Sequence, residues 1–214
     1  MDMYNIPMSS RWREASWATF GDSITQENGY QPLVQQALQL KDVRNYGKAG
    51  CPMTAGGATD EGSTYHVIRN TTEGCDIMTI FAGTNDFRLN IPLGELHSIG
   101  SDYDPCTFTG AYQASVEQLL SLFPLSRLSL WTPLQRDKDG YDIYSVNEAG
   151  FQLEDYVERV RDIGKLYSLP VLDLYTTSGF NKLTLDTFTS DRLHPNEAGY
   201  RRIGEIATSF MLGL

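Results

Sequence analysis

The chain has 214 residues, a net charge of -10 and 41% hydrophobic residues. That is enough to bury one sizeable core, and the composition is that of a globular protein without low-complexity tracts. Its seventeen Lys and Arg are scattered, with no run longer than Arg201-Arg202, which argues against a DNA or RNA partner.

No segment is apolar for long enough to span a bilayer. Residues 1–14 read as a polar N-terminal extension holding Pro7, Ser9, Ser10, Arg11 and Arg13, without the apolar centre of a signal peptide. The expectation is therefore one domain over residues 1–214, cytoplasmic or released without a signal peptide. The three cysteines, Cys51, Cys75 and Cys106, form no C-x-x-C motif, and the three histidines are far apart. They read as buried or incidental thiols rather than as a metal or redox site.

Along the chain, short apolar runs alternate with helical periods, the pattern of βαβ units around a parallel sheet. Trp17-Ala18-Thr19-Phe20 reads as the first strand. A helix follows from about Tyr30, with Tyr30, Leu33, Val34, Ala37 and Leu38 on one face. Pro32 suits its first turn, where a missing N–H is harmless. Residues 42–46 read as a second strand, and 76–82 as a third, apolar enough to be covered on both faces.

Tyr112, Val116, Leu119, Leu120 and Phe123 then repeat at helical spacing, and Pro124 ends that helix. Residues 128–131 read as the fourth strand. Leu153, Tyr156, Val157, Val160, Ile163 and Tyr167 mark what reads as the longest helix, broken by Pro170 before a fifth strand over 171–174. Asn196 is the expected N-cap of the last helix, whose buried stripe is Tyr200, Ile203, Ile206, Ala207 and Phe210. The sum is a three-layer α/β/α sandwich with about five parallel strands. Three long connections, 90–107, 133–149 and 175–190, leave or return towards the carboxyl edge of the sheet, where ligands of such folds bind.

Four short clusters gather at that edge: Gly21-Asp22-Ser23 after the first strand, residues 45–50 after the second, Gly83-Thr84-Asn85-Asp86 after the third, and Asp191-Arg192-Leu193-His194-Pro195 before the last helix. Together they supply what acyl transfer needs. A serine hydroxyl requires an adjacent base. His194 fits as that base, and Asp191, three residues before it, fits as the group that holds the imidazole. The developing oxyanion requires preorganised donors. The N–H groups of Ser23 and Gly50 and the Asn85 amide are the candidates. No metal and no cofactor is called for.

These motifs, Gly-Asp-Ser-Ile at 21–24, Asn-x-Gly-x-x-Gly at 45–50, Gly-x-Asn-Asp at 83–86 and Asp-x-x-His-Pro-Asn at 191–196, resemble the SGNH (GDSL) hydrolase family over roughly residues 15–212. The resemblance implies a flavodoxin-like fold, a Ser23–His194–Asp191 triad, and an oxyanion hole from Ser23, Gly50 and Asn85. Gly50 is preferred over Gly47 because it closes the family's glycine spacing. Two features depart from the family's pattern: Ile24 stands where Leu is commoner, and Cys51-Pro52-Met53 follows Gly50.

Asp22 reads as a structural partner of the nucleophile loop, and Asp86 as a support for Asn85. His66 and His97 read as solvent or loop residues. His97, Tyr103, Tyr141 and Tyr144 are candidate substrate contacts, since rings near the active edge can stack on a sugar or line an acyl pocket. The expected partner is a small-molecule or glycan ester. The expected activity is hydrolysis of carboxylic esters, with short acyl groups such as acetyl on a carbohydrate favoured by the polar, tyrosine-bearing loops. Lysophospholipase or thioesterase chemistry, and a non-catalytic glycan-binding module, are the alternatives. A flavin or nucleotide binder is disfavoured, because the loop after the first strand lacks a phosphate-cradling glycine pattern, and no G-x-S-x-G elbow occurs.

Overall fold

The computed structural model describes residues 10–55 and 62–214. In chain order its elements are β1 (Ser16–Gly21), α1 (Ser23–Gln26), α2 (Gln31–Leu38), β2 (Asp42–Gly47), α3 (Thr64–Arg69), β3 (Ile77–Phe81), α4 (Thr84–Arg88), α5 (Phe108–Leu122), β4 (Arg127–Trp131), β5 (Asp137–Lys138), β6 (Tyr141–Asp142), α6 (Leu153–Leu166), β7 (Val171–Leu172), α7 (Leu174–Thr177), α8 (Leu185–Phe188) and α9 (Glu197–Leu212).

Five strands form a parallel sheet in the order β2-β1-β3-β4-β7. Side chains alternate across it, as the period of a strand requires. Phe20, Met78, Ile80, Leu128 and Leu130 point to one core with Ile68, Tyr112, Val116, Tyr156 and Val160 of α3, α5 and α6. Trp17, Ile77, Phe81 and Trp131 point to a second core with Val34, Leu38, Ile203, Ala207 and Met211 of α2 and α9. This is the three-layer α/β/α sandwich expected from the alternating pattern, and β1 and β3 are largely apolar, with Thr19 and Thr79 buried among apolar neighbours, because both faces are covered.

Several details differ from the sequence reading. Of the face assigned to α2, Tyr30, Val34 and Leu38 are buried, whereas Leu33 and Ala37 are exposed, because the helix meets α9 along one narrow i, i+4 line. The longest helix is α9 with 16 residues, not α6 with 14, since α6 ends at Leu166 and Tyr167 caps it. The last strand has two residues rather than four. Asp173 leaves the sheet to cap α7, accepting from Thr176 N–H and binding Thr132 and Arg161. Asn196 caps α9 as expected, accepting from Gly199 N–H at 3.1 Å.

Of the N-terminal extension, residues 1–9 lie outside the described residues. Trp12 is tied down, its indole N–H donating to Met211 O at 2.6 Å while the ring packs on the second core. Among the described residues no helix is long and apolar enough to cross a membrane.

Candidate active site

The register of the sheet determines where the chemistry gathers. Gly21 pairs with Gly47 on one side and Phe81 on the other, so the segments that follow β1, β2 and β3 leave the sheet side by side. Gly47 is packed so closely that a Cβ there would lie 2.3 Å from Gln26 N, a backbone atom. This close approach brings the turn after β2 against the Ser23 loop.

Ser23 opens α1. The preceding Asp22 caps that helix, its carboxylate accepting from Ile24 N–H at 2.9 Å, and is itself buried. Burial pushes the Asp22 carboxyl up to about 7, against the pull of that N–H. Asp22 is thus a structural partner of the loop, as the sequence suggested.

Ser23 Oγ lies 3.0 Å from His194 Nε2, and His194 Nδ1 lies 2.8 Å from Asp191 Oδ2. With the Nδ1 proton donated to the carboxylate, Nε2 is the acceptor for the serine hydroxyl. Asp191 Oδ1 also accepts from the backbone N–H of His194 at 2.7 Å and of Leu193 at 3.2 Å. Burial raises the Asp191 carboxyl, but hydrogen bonds from Lys138 and His194 outweigh it and hold the group well below the usual carboxylate range. The three residues expected to meet do meet, from chain positions 171 residues apart.

The turn that brings Asp191 and His194 face to face runs through Arg192, a non-glycine residue at φ 63. Such a conformation needs outside support. The β5–β6 hairpin and α8 supply it. Asp137 N–H donates to Arg192 O at 3.0 Å, the Arg192 guanidinium binds Asp137 at 2.8 Å and Asp186 at 2.6 Å, and Lys138 donates to Asp191 Oδ2.

Asn85 sits in α4 with its amide donating to Cys51 O at 3.0 Å. An amide nitrogen carries two hydrogens, so one remains for a ligand. Asp86 is buried and accepts from Met53 N–H at 2.8 Å and from the Thr54 N–H and hydroxyl at 3.2 Å. It pins the segment after Gly50 onto α4, the supporting role expected of it. Burial pushes its carboxyl up to about 6 despite those donors. Gly50 is at φ 74, the left-handed region that favours glycine. The Gly47 N–H is occupied by Asn45 Oδ1 at 2.9 Å, whereas those of Ser23 and Gly50 have no acceptor among the described residues.

Of the aromatic and histidine candidates, Tyr141 is joined to this machinery through Lys138. It pairs with Lys138 across the hairpin, packs edge-on against Phe87 and donates to Asn90 at 3.2 Å. Tyr144 is exposed, with the Lys182 ammonium 5.8 Å from its ring centre. Tyr103 and His97 belong elsewhere. The Tyr103 hydroxyl binds Glu117 and Tyr167, and His97 is tied through its backbone to Gln113, which also reaches Tyr167. Tyr167 caps the end of α6 that leads into β7, at the opposite edge of the sheet from Ser23. His66 lies in α3 rather than in a loop, its Nδ1 2.8 Å from Ser63 Oγ.

Two residues that brace the site escaped the sequence reading, Lys138 and Arg136. Arg136 is buried with a guanidinium that donates to Thr84 O at 3.2 Å, to Thr84 Oγ1 at 3.1 Å and to Lys138 O at 3.2 Å. It bridges the start of the Asn85 helix to the strand that holds Asp191. Asp139-Gly140 is a two-residue hairpin signal that would have located β5 and β6, had such short strands been sought.

A family model described as GDSL-like lipase/acylhydrolase matches residues 19–202, a stretch that contains all four motifs and the whole of the site. The chain belongs to this family. It is accordingly a carboxylic ester hydrolase. The GDSL hydrolase is also similar to solved structures. One is a protein from Lactobacillus plantarum, 26% identical, with a TM-score of 0.80 over 93% of this chain and 97% of the other. A "possible lipase" from Chitinophaga pinensis is 21% identical, with a TM-score of 0.74 over 92% and 97% of the two chains. An acetyl xylan esterase is 23% identical, with a TM-score of 0.66 over 91% and 98%. A sequence comparison with curated proteins found no match.

Proposed function

We propose that this GDSL hydrolase removes short acyl groups, acetyl above all, from a carbohydrate or glycan through an acyl-enzyme. The Ser23–His194–Asp191 hydrogen-bonded chain carries this reading. Ser23 Oγ attacks the ester carbonyl as its proton passes to His194 Nε2. The imidazolium that forms is held by Asp191, and it gives the proton to the departing alcohol oxygen. Water then attacks the acyl-serine, losing a proton to His194, and the acid leaves as Ser23 is reprotonated. The unspent N–H groups of Ser23 and Gly50 and the second hydrogen of the Asn85 amide are the donors for the oxyanion.

The acetyl-on-sugar part is supported by what surrounds the site. Lys138, Tyr141 and Arg192, which hold or adjoin the Asp191–His194 turn, are polar, and one protein of the same fold is an acetyl xylan esterase. The test is a series of p-nitrophenyl esters of rising chain length with the wild type and Ser23→Ala. Acetyl is expected to be turned over best, and the variant to be inactive. Preference for long chains would overturn the acyl assignment, and activity retained by Ser23→Ala would overturn the mechanism. A panel of O-acetylated sugars then tests the carbohydrate.

A further inference from the structure

A cavity of about 770 Å³ lies away from the triad, between the outer strand β2 and α3. Its volume is within the ~300–1,000 Å³ of ligand clefts. Neither Ser23 nor His194 lines it; Tyr46, Lys48, His66, Asn70, Thr72 and Glu73 do. Its upper end is nonetheless part of the catalytic edge. Lys48 belongs to the turn that carries Gly50, donating its N–H to Gly21 O at 3.0 Å and accepting from Cys51 N–H at 3.2 Å. At the far end the Arg44–Glu73 ion pair, 2.9 Å long, neutralises the carboxylate. From residue 44 to residue 48 a strand covers about 13 Å, longer than one sugar ring.

The wall has a particular chemistry. Tyr46 lies flat on Phe20, with centroids 5.1 Å apart and planes 9° apart, so the ring is fixed with one face covered. β2 is the outer strand of the sheet, and among the described residues no neighbouring strand covers its outer side. The Tyr46 hydroxyl, His66 Nε2, the Asn70 amide and the Thr72 hydroxyl have no hydrogen-bond partner among the described residues. A rigid aromatic ring beside hydrogen-bonding side chains suits a ligand with C–H faces and a rim of hydroxyls.

We propose that this cavity is a subsite for the sugar chain that bears the ester, its further units lying along β2 while the acylated unit sits at Ser23. The proposal rests on the reading of the substrate as an acylated glycan. The length of chain engaged then sets KM, with the chemistry at Ser23 unaltered.

The test uses O-acetylated xylose, xylobiose and xylotetraose, each rate divided by that on p-nitrophenyl acetate to cancel differences in folded, active protein. In the wild type kcat/KM is expected to rise with chain length. The Asn70→Ala/Thr72→Ala double variant is expected to lower the tetraose-to-monosaccharide ratio about tenfold, mostly through KM, as for the loss of one or two hydrogen bonds. A wild type that deacetylates all three sugars equally, or a double variant that keeps the wild-type ratio, overturns the subsite and leaves the glycan reading standing. A wild type that cleaves p-nitrophenyl acetate and none of the sugars overturns both.

Discussion

Lys138 donates to Asp191 Oδ2, the same oxygen that accepts from His194 Nδ1 at 2.8 Å. One carboxylate oxygen therefore serves two donors, and the hairpin that carries Lys138 becomes part of the support for the histidine. Lys138→Met is expected to lower kcat/KM on short esters about tenfold, as for a charge-assisted hydrogen bond lost at a site that orients the base, while Lys138→Arg recovers part of the loss. The same variant shifts acid unfolding. Asp191 is held below its ordinary value, so its contribution to stability is present above the unfolded value near 3.8 and is lost as pH falls through the folded one. Without Lys138 the folded value moves back towards 3.8, and the acid-unfolding midpoint moves to higher pH. An acid titration followed by circular dichroism measures it; an unmoved midpoint would show that Lys138 does not hold Asp191.

Arg136 joins the two halves of the site. Its guanidinium binds Thr84, which begins the Asn85 helix, and the carbonyl of Lys138. Its Nε has no hydrogen-bond partner among the described residues and burial lowers its pKa, so the charge is kept at a cost. Arg136→Met removes the donors to Thr84 O and Oγ1, which are buried, and to the half-buried Lys138 O, at ~1–3 kcal/mol for a buried acceptor left unpaired, offset in part by relief of the desolvated cation. The expected result is a net loss of about 1–3 kcal/mol in chemical unfolding, with kcat reduced more than KM is raised because Asn85 loses its fixed position. A rise in KM with kcat untouched would exclude this positioning role.

The sequence carried most of this design, for reasons that differ by element. β1 and β3 were legible because strands covered on both faces are nearly all apolar, and the N-cap at Asn196 because its chemistry is local. The meeting of Ser23, Asp191 and His194 was legible because parallel strands deliver their loops to one edge. β7 was overread: Val171, Leu172 and Leu174 look like strand, but Asp173 bonds to Thr132 and Arg161 and turns the chain into α7. Arg136 and Lys138 were illegible, since their roles come from partners 52 and 53 residues away. Tyr103 was misplaced because proximity in sequence to an active-edge loop does not say how far down α5 that loop descends.

Buried carboxyls give the site a pH dependence opposite in sign to that of Asp191. Asp22 is raised from 3.8 to about 7 by burial. Between those limits the folded state holds a proton that the unfolded state has lost, so stability falls as pH rises, by about 1.4 kcal/mol per pH unit for one proton. Asp22→Asn keeps an oxygen for the Ile24 N–H and removes the titration. It is expected to flatten the stability profile across that window and to be the more stable form at its upper end. Urea unfolding at several pH values measures this; an unchanged slope would mean that Asp22 is ionised throughout.

Gly47, which ends β2, and Gly50 in the turn beyond it separate a packing role from a catalytic one. A Cβ on Gly47 would meet the backbone of Gln26 at 2.3 Å, and its N–H is already bound to Asn45, so Gly47→Ala is expected to lower stability by displacing the Ser23 loop. Gly50 has open space around a Cβ but sits at φ 74 with its N–H unspent. Gly50→Ala costs about 1–2 kcal/mol of backbone strain and, by turning that N–H away, is expected to lower kcat with little change in KM. Asn85→Ala, which removes a second donor, is expected to lower kcat about a hundred- to a thousandfold. Measured together, Gly50→Ala should resemble Asn85→Ala in its kinetics and Gly47→Ala should not. If Gly47→Ala alone lost kcat at full stability, the oxyanion donor would lie at Gly47 rather than Gly50.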